Sequence, residues 1–259
     1  MKKILFILLG LVLMFTLVAC GEEKEPQKPA EDDPVVNPDD PKPDDPKPDD
    51  PKPEEGLTAA KLQEALLAVE KEYKESKKAS VSVLLVNGDS TMNVTLTYEL
   101  GADGLFKALQ YELKGEKEIA IYVKDEVAYS SANGTKSKED LDETVNETLT
   151  NDYGLEVLLK DVTAFYNEKG LYECLTLESK ENGVYVFVLD LVKYSTMDST
   201  KVFKTAGKDA IKIIVSTVND KVNGVKVEIT EGEKTLSTEV KYLGLDKSPV
   251  YPSDLDTYK

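Results

Sequence analysis

Alternation of apolar and polar side chains is the feature that most constrains the fold of this chain. Along residues 91–100, every second residue is apolar, so one face of a β-strand carries all of the apolar side chains. Similar short segments, separated by turn residues such as Asn-Gly, recur through residues 81–131 and 171–242. Consecutive strands with short turns predict a large antiparallel sheet of about ten strands, with its apolar face on a core.

Helical periodicity appears in two places between and before these strands. Thr58 is a candidate N-cap for an amphipathic N-terminal helix of about 18 residues. In mid-chain, Ser137 with Asp140 resembles a capping box for one helix, and Asp152 is a candidate cap for a second helix over residues 155–166. The order of elements predicts an α+β fold, with the N-terminal and mid-chain helices packed on one face of the sheet.

The N-terminus carries an apolar run that is too short to cross a membrane comfortably. After Lys2 and Lys3, residues 4–18 are almost wholly apolar, and these 15 or so residues would form a helix of about 22 Å. A membrane-spanning helix needs about 20 residues. The run therefore fits the apolar part of a signal peptide.

The run ends in Leu17-Val18-Ala19-Cys20, followed by Gly21, and this stretch resembles the lipobox of bacterial lipoproteins. The resemblance implies that a lipoprotein diacylglyceryl transferase modifies Cys20 and that signal peptidase II cleaves after residue 19. The mature chain would then be anchored to the outer face of the bacterial cell membrane, in an extracytoplasmic location. The alternative is an ordinary secretory peptide with an incidental cysteine.

Residues 21–55 have the composition of an extended linker. They contain 10 of the 12 prolines and 14 acidic residues against 5 lysines, and Asp-Asp-Pro-Lys-Pro occurs there three times in tandem. Proline and like charges both oppose compact structure, which predicts a disordered tether with a reach of up to about 100 Å. A calcium-binding aspartate tract is the alternative. The predicted organisation is a signal peptide (1–19), a lipidated tether (20–55) and one α+β domain (56–259).

Composition excludes several kinds of chemistry. The chain has no histidine, all 32 of its basic residues are lysines, and its net charge is −17. Histidine-based catalysis and imidazole metal sites are therefore excluded, and the acidic charge disfavours nucleic acid. Cys174 is expected to be a buried apolar residue, and the paired carboxylates fall in predicted turns or on a polar helix face. We expect no catalytic residues, no metal ligands and no cofactor, and hence a non-enzymatic protein.

The order of elements after Thr58, together with the lipobox, resembles the LolA/LprG-like superfamily of bacterial lipoprotein-carrier and lipid-binding proteins. The resemblance covers the opening helix, the strands of residues 81–131 and the mid-chain helices before the returning strands. It implies a strongly bent sheet with helices over its concave face and, in some members, an apolar ligand between them. No short motif fixes binding residues in that superfamily.

The sequence leaves three functional hypotheses open. The first is a binding protein for an apolar or amphiphilic ligand held between sheet and helices. The second is a surface interaction or adhesin-like module, or a subunit of an envelope complex, with a filled core. The third is a hydrolase whose site has no sequence signature. For the first hypothesis, the candidate ligand-binding residues are Tyr98, Tyr111, Leu158, Val162, Phe165 and Phe187.

Overall fold

The computed structural model describes residues 56–168, 170–197 and 201–259. The predicted signal peptide, Cys20 and the tether lie outside these residues. The described part contains four α-helices: α1 (Ala59–Glu75), α2 (Glu143–Tyr153), α3 (Leu155–Lys160) and α4 (Leu191–Ser195). The strands are β1 (Lys78–Asn87), β2 (Ser90–Leu100), β3 (Phe106–Lys114), β4 (Ile119–Lys124), β5 (Val127–Ala132), β6 (Thr135–Asp140), β7 (Leu175–Glu181), β8 (Val184–Leu189), β9 (Ala210–Val218), β10 (Lys221–Glu231) and β11 (Lys234–Gly244).

All eleven of these strands form one antiparallel sheet, in the order β6-β5-β4-β3-β2-β1-β11-β10-β9-β8-β7. Two meanders, β1 to β6 and β7 to β11, therefore meet where β1 pairs with β11. This confirms the predicted α+β class and the large antiparallel sheet. The sheet has one strand more than the expected ten or so.

The additional strand is β6, where the sequence suggested a helix cap. Ser137 and Asp140 lie in β6, and the Ser137 hydroxyl bonds to that of Ser130 on β5. The cap of α2 is instead Asp142, whose side chain accepts a hydrogen bond from the Val145 amide. The predicted capping box was therefore wrong. Ser137 and Asp140 belong to an edge strand, and its polar side chains resemble those at the start of a helix.

The mid-chain helices also differ from the prediction. Asp152 lies inside α2, and Gly154 rather than an acidic residue precedes α3. The helix predicted over residues 155–166 ends at Lys160 and is followed by a 3-10 turn at Ala164–Asn167. A second 3-10 turn, Leu171–Cys174, leads into β7.

Helix α1 lies across one face of the sheet, which we call the core face. Thr58 caps it as predicted, and Leu62, Leu66, Val69 and Tyr73 are buried. At its C-terminal end the Tyr73 ring meets Tyr242 of β11 edge-on, with centroids 4.8 Å apart. At its other end, Gly56 lies beside Lys180 and Tyr185, which places the start of the domain near strands β7 and β8.

The opposite, outer face is polar over much of its area and is crossed by the C-terminal segment (residues 245–259). The Val250 amide donates to Gln110 on β3, and the Tyr251 hydroxyl donates to the Val123 carbonyl on β4. Farther along, Leu255 and Tyr258 pack on Tyr122 in a second, smaller core. The segment ends against β6, where the Lys138 amide donates to the Lys259 carbonyl.

Candidate functional site

The six predicted ligand-binding residues all belong to one hydrophobic core between the sheet and its helices. Four of them are fully buried: Tyr98, Tyr111, Phe165 and Phe187 are 0–4% exposed. Leu158 and Val162 are partly buried against the same core. A side chain lining a ligand-sized void would present surface to that void, so the four aromatic residues are in a closed arrangement.

Tyr98 and Tyr111 occupy the half of the sheet that lies under the end of α1 and under α2. The Tyr98 hydroxyl donates to the backbone carbonyls of Tyr73 and Ser76, both at 3.3 Å. The Tyr111 ring meets Tyr153 of α2 edge-on at 4.9 Å. Burial raises the pKa of Tyr98 to about 12, so its hydroxyl stays protonated at neutral pH and remains a donor.

Phe165 and Phe187 lie in the other half of the fold. Phe165, in the first 3-10 turn, packs edge-on against Tyr166 at 4.7 Å and beside Phe203 at 5.8 Å. Phe187 sits on β8 opposite Ile213 of β9 and is 0% exposed. Six strand spacings separate β8 from β3, or roughly 29 Å along the sheet. The six predicted residues therefore line one layer but do not form a single compact pocket.

Toward one end of the central strands, the helices no longer lie over the core face. On β1, Val81 and Val83 are at most 1% exposed, whereas Leu85, about 13 Å from Val81 along the strand, is only partly buried. The same decline occurs on the three neighbouring strands. We call the partly exposed row the apolar shelf; it consists of Leu85, Met92, Ile229 and Leu236.

Strand pairing arranges the apolar shelf as two facing pairs that are diagonal neighbours, with Thr238 of β11 directly opposite Leu85. Leu85 faces Met92 across the β1–β2 pair, and Ile229 faces Leu236 across the β10–β11 pair. Leu236 is in turn opposite Asn87 of β1, two residues from Leu85. Because α1 contacts Tyr242 at the other end of these strands, the sheet extends beyond its helical layer here. Sequence reasoning missed the shelf because alternation identifies the core face but does not show where the helical layer over that face ends.

Polar contacts hold the irregular segment after α3 in place. We call this segment the cover and define it as residues 163–168 together with the turn Leu171–Cys174. The Thr163 hydroxyl is within bonding distance of the Glu70 carboxylate of α1 at 2.9 Å, and Gln63 of α1 donates its side-chain amide to the Tyr166 carbonyl at 3.0 Å. The Tyr166 and Tyr242 hydroxyls lie 3.3 Å apart, which ties the cover to the sheet.

Glu168 makes a further attachment of the cover. It is 7% exposed, and its carboxylate accepts hydrogen bonds from the Tyr194 hydroxyl at 2.6 Å and from the Val202 amide at 3.3 Å. Burial and the adjacent Glu168 raise the pKa of Tyr194, so this hydroxyl remains a donor. Sequence reasoning missed this pair, because Glu168 resembles a polar helix position and Tyr194 lies in a short, weakly patterned segment.

The described residues contain no candidate metal site, because no group of three or more His, Cys, Asp or Glu side chains among them could hold a metal ion. Cys174 is buried as expected, with its sulfur 3.3 Å from that of Met197, and burial raises the pKa of its thiol. Within residues 56–259 apart from the four positions not described, no helix has the length and apolarity that crossing a membrane requires.

Comparison with known proteins gives only remote similarity. No family model matches the chain, and no curated protein matches it. The solved structure of LprF from Mycobacterium bovis is 12% identical, with a TM-score of 0.39, over 75% of this chain and 99% of that one. The Mycobacterium tuberculosis lipoprotein LppX is 11% identical, with a TM-score of 0.34, over 74% and 98%.

MucB in complex with MucA gives 9% identity and a TM-score of 0.32, over 76% of this chain and 58% of that one. All three TM-scores lie below 0.5, so these similarities do not assign the chain to a family or give it a function.

Proposed function

We propose that this chain is a non-enzymatic, extracytoplasmic lipoprotein that binds an apolar or amphiphilic ligand between its sheet and its helices. Acylation of Cys20 by the diacylglyceryl transferase, followed by cleavage by signal peptidase II, would anchor it to the outer face of the cell membrane. Residues 21–55 would act as the tether between the anchor and the folded part. The lipobox and the proline-rich, acidic composition of the tether support this placement.

The apolar shelf is the observation that carries the binding proposal. It presents four partly exposed apolar side chains, of which Leu85, Met92 and Ile229 pack against the buried core. Binding sites for apolar ligands are concave surfaces lined mainly by such side chains. The proposed site also includes Leu158 of α3 and Val162, which follows α3; both are partly buried against the same core. The ligand would reach Phe165 and Phe187 only if the packing above them opens.

A matched pair of substitutions on β1 tests the proposal. Leu84 and Leu85 are neighbours on opposite faces of the sheet, and both are partly exposed. We use residues 20–259 with Cys20→Ala, which removes the acyl anchor, and measure binding of a fluorescent fatty acid. Leu85→Lys should weaken binding at least tenfold by placing a charge in the apolar shelf, and Leu84→Lys should leave it unchanged. Absence of probe binding by the parent chain, or equal effects of both variants, would reject the proposal.

A second candidate function, a protein-interaction module, is favoured by a different observation. Val184, Val186 and Val188 of β8 and Ile214 of β9 share the outer face, and Val184 is 38% exposed. A strand that is apolar on both faces is usually covered on both sides. An uncovered valine surface is typical of a site that meets a partner. This function would be favoured if the Leu85→Lys variant binds the fatty acid as the parent chain does and the Val186→Lys variant no longer associates with a protein partner.

A further inference from the structure

The cover is built differently from the rest of the helical layer. Its two 3-10 turns have four residues each, whereas α1 has 17. Short 3-10 turns contain few and poorly aligned backbone hydrogen bonds, so such segments open at lower free energy than regular helices. The chain enters the cover at Thr163, whose hydroxyl lies 2.7 Å from the Leu159 carbonyl and 2.9 Å from Glu70. These contacts fix the point at which α3 stops.

The attachments of the cover differ in kind. Gln63 to the Tyr166 carbonyl and Tyr166 to Tyr242 are contacts between neutral groups, at 3.0 and 3.3 Å. Two other attachments join a hydroxyl to a carboxylate: Thr163 to Glu70 of α1 at 2.9 Å, and Tyr194 to Glu168 at the shorter distance of 2.6 Å. Hydrogen bonds to an ionised group are shorter and roughly twice as strong as neutral ones. The Tyr194 hydroxyl also accepts a hydrogen bond from the Phe203 amide, at 3.2 Å.

A single buried carboxylate therefore connects three parts of the fold. Glu168 belongs to the cover, Tyr194 to α4, and Val202 and Phe203 to the segment before β9. The aromatic rings of Phe165, Phe203 and Tyr194 adjoin one another in this region, with centroids 5.8 and 6.3 Å apart. Loss of the carboxylate contact would free residues 163–168 from α4 while leaving their contacts with α1 intact. The turn Leu171–Cys174 would stay joined to α4, because the Lys193 side chain donates to the Glu173 carbonyl at 2.6 Å.

We propose that the Glu168–Tyr194 hydrogen bond is the latch of residues 163–168, the first part of the cover, and that these residues open when it breaks. This inference rests on the proposed function, because opening would give an apolar ligand access to Phe165 and the core beneath it. The closed state is the one described above.

The test compares two Tyr→Phe substitutions in residues 20–259 carrying Cys20→Ala. Tyr194→Phe removes the latch hydroxyl and keeps the ring. Tyr172→Phe is the control: its hydroxyl donates to the Phe165 and Tyr166 carbonyls, so the bonds it loses lie within the cover. Amide hydrogen exchange of residues 163–168 reports opening, with β2 amides as an internal reference for global unfolding.

Tyr194→Phe should raise exchange of residues 163–168 by about tenfold relative to β2, the change expected for loss of a hydrogen bond to a charged group. Fluorescent fatty acid should load faster by a similar factor. Tyr172→Phe should change both rates by less than about threefold. Unchanged exchange in Tyr194→Phe, or equal acceleration in both variants, would overturn the latch. Faster exchange without any probe binding would keep the latch and reject the proposed function.

Discussion

Replacing Phe165 by alanine measures how tightly the cover is packed in the closed state. Phe165 is 3% exposed and contacts the rings of Tyr166 and Phe203 at 4.7 and 5.8 Å. Truncation of a buried phenylalanine costs about 3–5 kcal/mol, through lost transfer free energy and the cavity left behind. Two lost aromatic contacts place this site in the upper part of that range. We expect the free energy of unfolding to fall by about 4 kcal/mol.

For a domain of about 200 residues, that loss corresponds to a decrease in Tm of roughly 8–16 °C. The assay is urea and thermal unfolding of residues 20–259 carrying Cys20→Ala, followed by circular dichroism. Val157→Ala on α3 is the control, because Val157 is 48% exposed and its truncation should cost less than about 0.5 kcal/mol. A cost below about 1 kcal/mol for Phe165→Ala, with cooperative unfolding retained, would show that the ring borders open space and refute the closed packing.

Three further predictions concern the anchor, the tether and the C-terminal segment. Cys20→Ala in the full chain should move the protein from the membrane fraction to a soluble or uncleaved form; normal processing and membrane retention would contradict the lipoprotein assignment. Deleting residues 21–53 should change the Tm of the remaining chain by no more than about 2 °C, whereas a larger fall would mean that the tether packs on the domain. The hydrogen bond from Lys136 lowers the pKa of Asp254 from its ordinary 3.8, so its contribution to stability is present above that pH and is lost as pH falls through the lowered pKa. The stability difference between the parent chain and Asp254→Asn should therefore disappear in acid, and a difference that persists below pH about 2 would contradict the pairing.

The fold class could be predicted because two periodicities are written plainly in the chain. Alternation around Val94 and Leu96 gives the core face, and the spacing of Leu62, Leu66 and Val69 gives α1; all five side chains are buried as expected. These signals depend only on local backbone geometry and on one buried face. The boundaries of the elements are harder to predict from the sequence. An example is β6, a polar strand whose sequence resembles the start of a helix.

The break after α3 illustrates what local pattern does not contain. Leu155, Leu159, Val162 and Phe165 have helical spacing, yet the chain leaves the helix at Lys160. The cause is tertiary: Thr163 bonds to Glu70, 93 residues away, and Glu168 bonds to Tyr194. Contacts between residues that are far apart in the chain produce no periodic pattern in the sequence. The candidate residues Tyr98 and Phe187 are both buried on the core face, but their separation across the sheet follows from strand order, which local pattern does not contain.

The pairing of β1 with β11 has a consequence for how this protein acquires its structure. The two strands at the centre of the sheet come from opposite ends of the domain, and their paired residues lie about 150 or more positions apart in the chain. Each meander can form from neighbouring segments, but joining them requires closure of a very long loop, which makes such topologies slow to fold. A chain crossing a membrane would therefore hold two incomplete half-sheets until β11 has emerged. The C-terminal segment, which runs from β11 back across the outer face to β6, would bind last and complete the join between the halves.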